Sequence, residues 1–358
     1  MKVGIVGLPN AGKSTLFNAL TRAGAETGDY PFTTIDPNVA VVPVPDDRLE
    51  RVADTVGSSR VVHETISFHD IAGLVRGASE GEGLGNQFLA AIRETDAICH
   101  VVRCHEAGDV PHPEGRIDPL DDAEIIETEL LAADLEQAQG RLERVAKGAK
   151  SGAKEAVAER DWLQSVIDAL AAGRPAREVP APDGAPDAPR LLGALTSKPM
   201  LYVANVPEGE DEPPATLAER AAAAGARAVA ISARVEAELG ELDDAGEAAE
   251  LRSGLGISEA GLDRLVHAAF ALLDLIVFFT AGRDREAMAH SVRRGSTAWD
   301  AAGEVHTEIQ EAFVRAEVIG WRDLVEAAGY TAARERGTLR IEGRDYVVAD
   351  GDVIHIKT

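Results

Sequence analysis

The first fifteen residues carry the side chains that point most directly to a chemistry. Gly7, Gly12, Lys13 and Ser14 match the pattern G-x-x-x-x-G-K-[ST]. Glycines in such a loop let successive backbone N–H groups face a polyphosphate, and a following helix N-terminus adds a favourable dipole. Lys13 can reach the β- and γ-phosphates, and the Ser14 hydroxyl can bind Mg²⁺. The pattern predicts a nucleoside triphosphate site whose contacts come from Asn10, Ala11, Gly12, Lys13, Ser14 and Thr15.

A strand and a helix must hold this loop in place. Residues 3–6 are apolar and mostly β-branched, which is typical of a buried strand. Leu16, Phe17 and Leu20 then recur at helical spacing. This strand–loop–helix context is what the motif requires, and it disfavours the alternative of a glycine turn that binds nothing.

Two later segments supply candidate ligands for magnesium and the γ-phosphate. Residues 66–69 predict a strand, after which Asp70 and Gly73 form a D-x-x-G pattern. We expect Asp70 to bind Mg²⁺ through water and the Gly73 N–H to meet the γ-phosphate. Residues 28–38 contain Pro and Gly and predict a loop, in which Thr34 is our candidate to complete the Mg²⁺ shell. A plain turn is the alternative for that segment.

The residue that follows Gly73 limits how fast hydrolysis can be. Many switch GTPases have a glutamine there that orients the attacking water, but Leu74 cannot do so. Hydrolysis must therefore use another group or be slow. The polar segment 104–121 contains His105 and His112, and either imidazole could position the water. Solvated loop histidines are the competing interpretation.

The segment after a second buried strand bears on the identity of the base. Residues 199–205 predict that strand, and Asn205-Val-Pro-Glu208 stands where a GTPase has N-K-x-D. Without the aspartate that accepts hydrogen bonds from guanine, selectivity for guanine should be lost, which favours ATP. A strand over residues 228–231 leads to the other side of the base site. The residues expected to surround the base are Asn205, Val206, Glu208, Ser232 and Ala233.

Residues 121–173 predict two long helices. Their apolar positions step by three and four, as in a coiled-coil seam; they are Leu131, Leu135, Ala138, Leu142 and Val145, then Leu163, Val166 and Leu170. A glycine-broken turn between them holds three of the seven lysines of the chain, Lys147, Lys150 and Lys154. This basic tip predicts contact with a polyanion, most simply RNA, against the equal alternative of a solvated loop. Residues 174–190 are rich in Pro, Ala and Asp and predict a linker.

Composition sets the class of protein. The chain of 358 residues is longer than one hydrophobic core usually holds, so two or three domains are expected. A hydrophobic content of 45% excludes a disordered chain. No apolar run approaches the ~20 residues of a membrane span. The net charge of −25 argues against non-specific attraction to nucleic acid. Cys99 and Cys104 should face opposite ways on a strand, so we expect free thiols and a cytoplasmic protein.

The character of the sequence changes near residue 274. Short segments with strand composition alternate with alanine-rich helical stretches from there to the C-terminus. The predicted strand segments are 275–279, 338–342, 346–348 and 353–356, and residues 291–297 predict a strand followed by a turn. A compact α+β module of about eighty residues fits this pattern.

Taken together, these motifs resemble a known family, the Obg-related ATPases called YchF in bacteria. The resemblance spans essentially the whole chain and rests on residues 7–15, 31–38, 70–86, 205–208 and 342–352. It implies an α/β P-loop NTPase domain with a mostly parallel sheet, an inserted antiparallel coiled-coil arm and a C-terminal β-grasp (TGS) domain. The corresponding boundaries are 1–120 and 196–276 for the nucleotide-binding domain, 121–195 for the arm and 277–358 for the TGS domain.

The same resemblance implies functional roles. ATP is preferred to GTP, Mg²⁺ is bound by Ser14 and Thr34, and His112 replaces the missing glutamine. Asn10 matches an asparagine that helps hold K⁺ in related potassium-activated NTPases. The implied partner is the ribosome, contacted through the arm and the TGS domain, with no DNA and no membrane. Two alternatives stay open: a nucleotide-occupied adaptor whose hydrolysis is incidental, and a true GTPase of ribosome function.

Overall fold

The computed structural model describes residues 1–26, 38–71, 84–106, 111–150, 152–242, 245–255, 257 and 260–358. They form two compact units. The first contains residues 1–42 and 67–269, and the second contains residues 43–66 and 270–358. Residues 43–66 thus group with the C-terminal residues, although we expected them within the nucleotide-binding part, 1–120. The other domain boundaries stay predictions.

The strands are β1 (Lys2–Val6), β2 (Val39–Pro43), β3 (Arg60–Val62), β4 (Thr65–Asp70), β5 (Ala97–Arg103), β6 (Met200–Asn205), β7 (Arg227–Ile231), β8 (Leu275–Thr280), β9 (Glu286–Arg293), β10 (Arg315–Gly320), β11 (Arg340–Glu342) and β12 (Asp352–Lys357). The helices are α1 (Lys13–Glu26), α2 (Asp47–Val56), α3 (Leu84–Arg93), α4 (Pro119–Ala149), α5 (Lys154–Ala171), α6 (Ala188–Leu192), α7 (Ala215–Ala223), α8 (Ala233–Leu239), α9 (Ala245–Gly254), α10 (Gly261–Ala271), α11 (Ala298–Val305), α12 (Thr307–Glu311), α13 (Trp321–Ala327) and α14 (Tyr330–Glu335).

The sheet of the first unit has the strand order β2-β4-β1-β5-β6-β7. Strands β4, β1, β5, β6 and β7 pair in parallel. Every residue of β5 and β6 is buried, as expected for central strands that are covered on both faces. In such a sheet the loops at the carboxyl ends of neighbouring strands converge on one edge. The described residues of the predicted motifs after β1, β6 and β7, together with Asp70 at the end of β4, therefore lie at that edge.

Helices α4 and α5 form the predicted arm. α4 begins with the N-cap Asp118, whose side chain accepts a hydrogen bond from the Asp121 N–H, and continues for 31 residues. The predicted apolar seam is confirmed, because Trp162, Leu163, Val166 and Leu170 pack with the leucines of α4. The predicted tip residues Lys147, Lys150 and Lys154 are exposed.

The prediction of a linker over residues 174–190 was wrong. Ala176, Ala185 and Ala188 are buried in the same apolar cluster as the arm seam. α6 begins within the segment, and Asp134 of α4 anchors the chain beyond it by accepting the N–H groups of Leu195 and Thr196. The small alanine side chains let this segment pack closely against the arm. Residues 174–190 therefore form a packed layer, although their composition is typical of linkers.

The sheet of the second unit has the order β11-β10-β12-β8-β9-β3. Its core includes Phe278, Val318 and Ile354, together with the alanines of α11. β3 pairs with β9 in parallel, which brings the segment 43–66 into this sheet. The predicted strand over 346–348 is reduced to one isolated bridge between Thr297 and Val347.

A buried histidine in the first unit makes the protein less stable at acidic pH. His100 of β5 is 1% exposed, and its Nδ1 has no hydrogen-bond partner among the described residues. Burial lowers its pKa to about 4, although Glu127 opposes the shift. Below the ordinary pKa of 6.5 the unfolded state therefore binds more protons than the folded state, and stability falls as pH falls toward 4.

We expect His100→Leu to reduce this acid sensitivity. Between pH 7 and pH 5 the free energy of unfolding should fall by about 2 kcal/mol less in the variant than in the wild type. Urea titrations at the two pH values measure the difference. His267→Gln, at an exposed histidine, is the control. Equal pH dependence in wild type and His100→Leu would contradict the expectation.

Within the described ranges, no helix is both long and apolar enough to cross a membrane. Cys99 and Cys104 are free thiols, as predicted.

Candidate nucleotide-binding site

The loop between β1 and α1 is closely packed against its neighbours. Gly12 has φ +100°, and a Cβ on it would lie 2.2 Å from Nδ2 of Asn205. A Cβ on Gly7 would lie 2.4 Å from the Val101 carbonyl oxygen. Asn10 also has a positive φ, 62°. The motif glycines are therefore required by the close approach of Asn205 and of the Val101 carbonyl.

Lys13 lies at the start of α1, and burying its charged ammonium group costs free energy. It is 7% exposed, and its Nζ donates a hydrogen bond to the Leu8 carbonyl at 2.8 Å. Burial lowers its pKa to about 8, an effect that the Asp70 carboxylate partly opposes. An anion bound beside Lys13 would relieve this cost, so the site is prepared for phosphate.

Asp70 provides a carboxylate suited to a hydrated divalent cation. It ends β4, opposite Ile5 of β1, and its Oδ1 is buried without a hydrogen-bond partner among the described residues. Burial raises the pKa of Asp70, against the opposing charge of Lys13. The Ser14 hydroxyl lies exposed in the first turn of α1. A carboxylate oxygen without a hydrogen-bond partner and an exposed hydroxyl are both ligands that suit Mg²⁺, which prefers oxygen ligands.

Three predicted residues lie outside the described part of the chain. They are Thr34, Gly73 and Leu74, so their roles stay predictions.

A cleft of about 760 Å³ opens at the carboxyl edge of the sheet. It brings together most of the described residues that the sequence predicted for nucleotide binding: Asn10, Gly12, Lys13, Ser14, Thr15, Asn205, Val206, Glu208, Ser232 and Ala233. Ala11 is buried beneath it. The residues that sequence reasoning did not assign to the nucleotide are Arg103, Glu106, Pro207, Arg234 and Val235, while His105 lines the cleft as well. Arg103 could have been found, because it ends β5, the strand between β1 and β6.

Asn205 ties the phosphate loop to the base loop. Its Nδ2 donates to the Ala11 carbonyl at 3.0 Å, and its Oδ1 accepts the Ala233 N–H at 3.2 Å. Asn205 is 5% exposed, so both bonds are made away from water. One amide side chain thus joins the loop after β1 to Ala233, the first residue of α8.

The part of the cleft predicted to hold the base is shaped by a tight turn. Val206 is buried, and its N–H bonds to the Ile231 carbonyl. The Glu210 N–H then bonds to the Pro207 carbonyl, with φ +84° at Gly209 between them. Glu208 is exposed on this turn, at the position where a guanine-binding aspartate would stand.

His112 is not among the described residues that line the cleft. Its Nε2 is 2.7 Å from Oδ2 of Asp122, and its Nδ1 accepts the Glu114 N–H at 3.2 Å. The preceding carbonyl, of Pro111, accepts a hydrogen bond from Nδ2 of Asn10. Asn10 and the His112 segment are therefore joined, and the catalytic role of His112 stays a prediction.

Two family models match the chain. One is described as a 50S ribosome-binding GTPase and matches residues 2–133. The other is named YchF-GTPase_C, is described as a protein of unknown function and matches residues 275–358.

Two curated relatives of high similarity carry the same name. The protein called ribosome-binding ATPase YchF in Bacillus subtilis is 46% identical over 364 residues, covering 100% of this chain and 99% of the relative. The protein of that name in Haemophilus influenzae is 48% identical over 359 residues, covering 99% of this chain and 98% of the relative. Among solved structures, that of the Schizosaccharomyces pombe YchF GTPase matches with a TM-score of 0.85 and 32% identity, covering 100% of this chain and 97% of that one.

Proposed function

Because this chain belongs to the YchF family, we propose that it is a Mg²⁺-dependent ATPase whose nucleotide cycle controls its binding to the ribosome. The observation that carries the proposal is the cleft, whose lining includes Lys13 and Ser14 of the loop after β1 together with Val206 and Glu208 from the loop after β6.

The phosphate end is equipped to stabilise charge on a transferring phosphoryl group. The Lys13 ammonium is fixed and poorly hydrated, so its attraction for phosphate oxygens is stronger than it would be in water. The N–H groups at the start of α1 add to it. Ser14, Thr34 and the Asp70 carboxylate would hold Mg²⁺, which neutralises phosphate charge when bound.

Hydrolysis by this chain should be slow. Leu74 offers no polar group for the attacking water, and the proposed substitute, His112, has both ring nitrogens engaged with other residues. Asn10 is the proposed K⁺ ligand, so K⁺ should stimulate turnover.

The ribosome is the proposed partner because the curated relatives are named for binding it. We assign that contact to the exposed lysines at the arm tip and to the C-terminal TGS domain. A cytoplasmic location follows from this role.

The base preference offers the direct test. We expect ATP to bind at least about tenfold tighter than GTP, or roughly 1.4 kcal/mol, when each is titrated at fixed Mg²⁺. Phosphate release should be faster in K⁺ than in Na⁺. The variant Glu208→Asp, which restores the aspartate of the pattern N-K-x-D at an exposed position, should shift the preference toward GTP.

Glu219→Asp, an exposed position on α7, is the matched control and should leave the preference unchanged. If the wild type binds GTP as tightly as ATP, the proposed ATP preference is wrong and the chain is better described as a GTPase.

A further inference from the structure

A buried contact between His112 and Asp122 is not explained by nucleotide binding. The His112 Nε2 and Asp122 Oδ2 atoms are 2.7 Å apart, and the two side chains are 5% and 4% exposed. Asp122 lies in the first turn of α4, the long helix of the arm. The contact therefore joins the proposed water-positioning residue to the arm.

Both ring nitrogens of His112 are in use. Nδ1 accepts the N–H of Glu114 at 3.2 Å. A nitrogen that accepts a hydrogen bond carries no proton, so in the neutral ring Nε2 carries it and donates it to Asp122. In this arrangement the imidazole has neither a free acceptor nor a free donor for a water molecule.

We propose that Asp122 is a restraining residue, whose carboxylate holds His112 against α4 so that ATP is hydrolysed only when this contact opens. The inference rests on the proposed role of His112 in hydrolysis. Slow turnover then has two sources, the apolar side chain of Leu74 and the fraction of molecules in which His112 is held.

The geometry favours a role in which Asp122 restrains His112 over a role in which Asp122 orients His112 as a catalytic base. In a dyad where a carboxylate orients a histidine, the second ring nitrogen faces the reacting group. Here that nitrogen faces the Glu114 N–H, and His112 is not among the described residues that line the cleft.

The surroundings of Asp122 do not suggest that its carboxylate serves mainly to stabilise the fold. Its Oδ1 is buried and has no hydrogen-bond partner among the described residues. A half-satisfied buried carboxylate calls for an explanation other than folding. On the other side of His112, the Pro111 carbonyl is bonded to Asn10 of the phosphate loop. The restrained segment is thus connected to both the arm and the nucleotide site.

Two substitutions at Asp122 test the proposal by steady-state ATP turnover in the full chain with Mg²⁺. Asp122→Asn keeps an acceptor of similar shape but removes the charge, and turnover at saturating ATP should rise about threefold. Asp122→Ala removes the acceptor, and turnover should rise about tenfold. KM should change by less than about twofold. Asp121→Asn, at the neighbouring carboxylate that pairs with Arg116, is the control and should leave turnover unchanged.

The His112→Ala background shows whether Asp122 acts through the histidine. In that background, substitution of Asp122 should have no effect on turnover. ¹⁵N spectra of the imidazoles give a readout independent of activity. The His112 signals, assigned by their loss in His112→Ala, should show the Nε2–H tautomer in the wild type and a mixture in Asp122→Ala.

Three results would overturn the inference while leaving the ATPase intact. They are a fall in turnover in Asp122→Asn, an equal rise in the His112→Ala background, and unchanged turnover in both Asp122 variants. A wild type that hydrolyses no ATP would overturn the proposed function as well, so the two failures are distinct.

Discussion

Replacing Lys13 with Met is expected to lower ATP turnover by about a thousandfold, because it removes a preorganised charge from the transferring phosphoryl group. Methionine keeps the length of the side chain, so the packing at the start of α1 is largely retained. Phosphate release and binding of a fluorescent ATP analogue measure the effect. Folding should survive, since exchanging a buried cation for an apolar side chain of similar size is often neutral.

Lys198→Met is the matched control for Lys13→Met. Lys198 is also partly buried, and burial lowers its pKa as it does for Lys13. Its Nζ donates to the carbonyls of Arg93 and Thr95 at the opposite edge of the sheet, before β6 begins. Turnover should stay near the wild-type value in this variant. A Lys13→Met protein that retains more than a tenth of the activity would refute the assigned role.

Asn205→Ala should weaken ATP binding by about a hundredfold and lower the free energy of unfolding by about 2–6 kcal/mol. The substitution leaves two buried backbone groups unpaired, the Ala11 carbonyl and the Ala233 N–H, and each costs about 1–3 kcal/mol. The same two contacts align the phosphate and base loops. Isothermal titration with ATP and urea unfolding measure the two effects separately.

Two further variants test whether the lost hydrogen bonds of Asn205 cause these effects on binding and stability. Asn18→Ala makes the same substitution on an exposed position of α1 and should change neither quantity appreciably. Asn205→Asp still accepts the Ala233 N–H but cannot donate to the Ala11 carbonyl. It should resemble Asn205→Ala if the phosphate-loop contact dominates. Wild-type affinity in Asn205→Ala would mean that the bridge does not organise the cleft.

Much of the nucleotide site could be predicted from sequence because each motif directly follows a strand. Parallel pairing of β4, β1, β5, β6 and β7 then brings the motifs to one edge, whatever the details of the loops. Lys13 and Asn205 are 192 residues apart but needed only this rule to be placed together. The two helices of the arm could also be predicted, because their apolar residues recur at intervals of three and four, which is characteristic of packed helices.

Other features depend on contacts that no local pattern encodes. α2 has a clear apolar face, formed by Leu49, Val52, Ala53 and Val56, but that face does not say which core it joins. The segment 174–190 was misread because alanine, which is common in linkers, also permits close packing. The pairing of His112 with Asp122 needs both the bend of the chain before α4 and the burial of two polar groups.

The length of α4 has an electrostatic consequence. From Asp134, which anchors the helix to the residues before β6, to its end at Ala149 the helix extends about 22 Å. At physiological ionic strength the Debye length is about 8 Å, so the lysine tip lies nearly three screening lengths from that anchor. Acidic residues at that distance from the tip, which contribute to the net charge of −25, are therefore largely screened from a polyanion that binds at the lysines. At an ionic strength of about 0.01 M the Debye length grows to about 30 Å, and the same tip falls within reach of their repulsion.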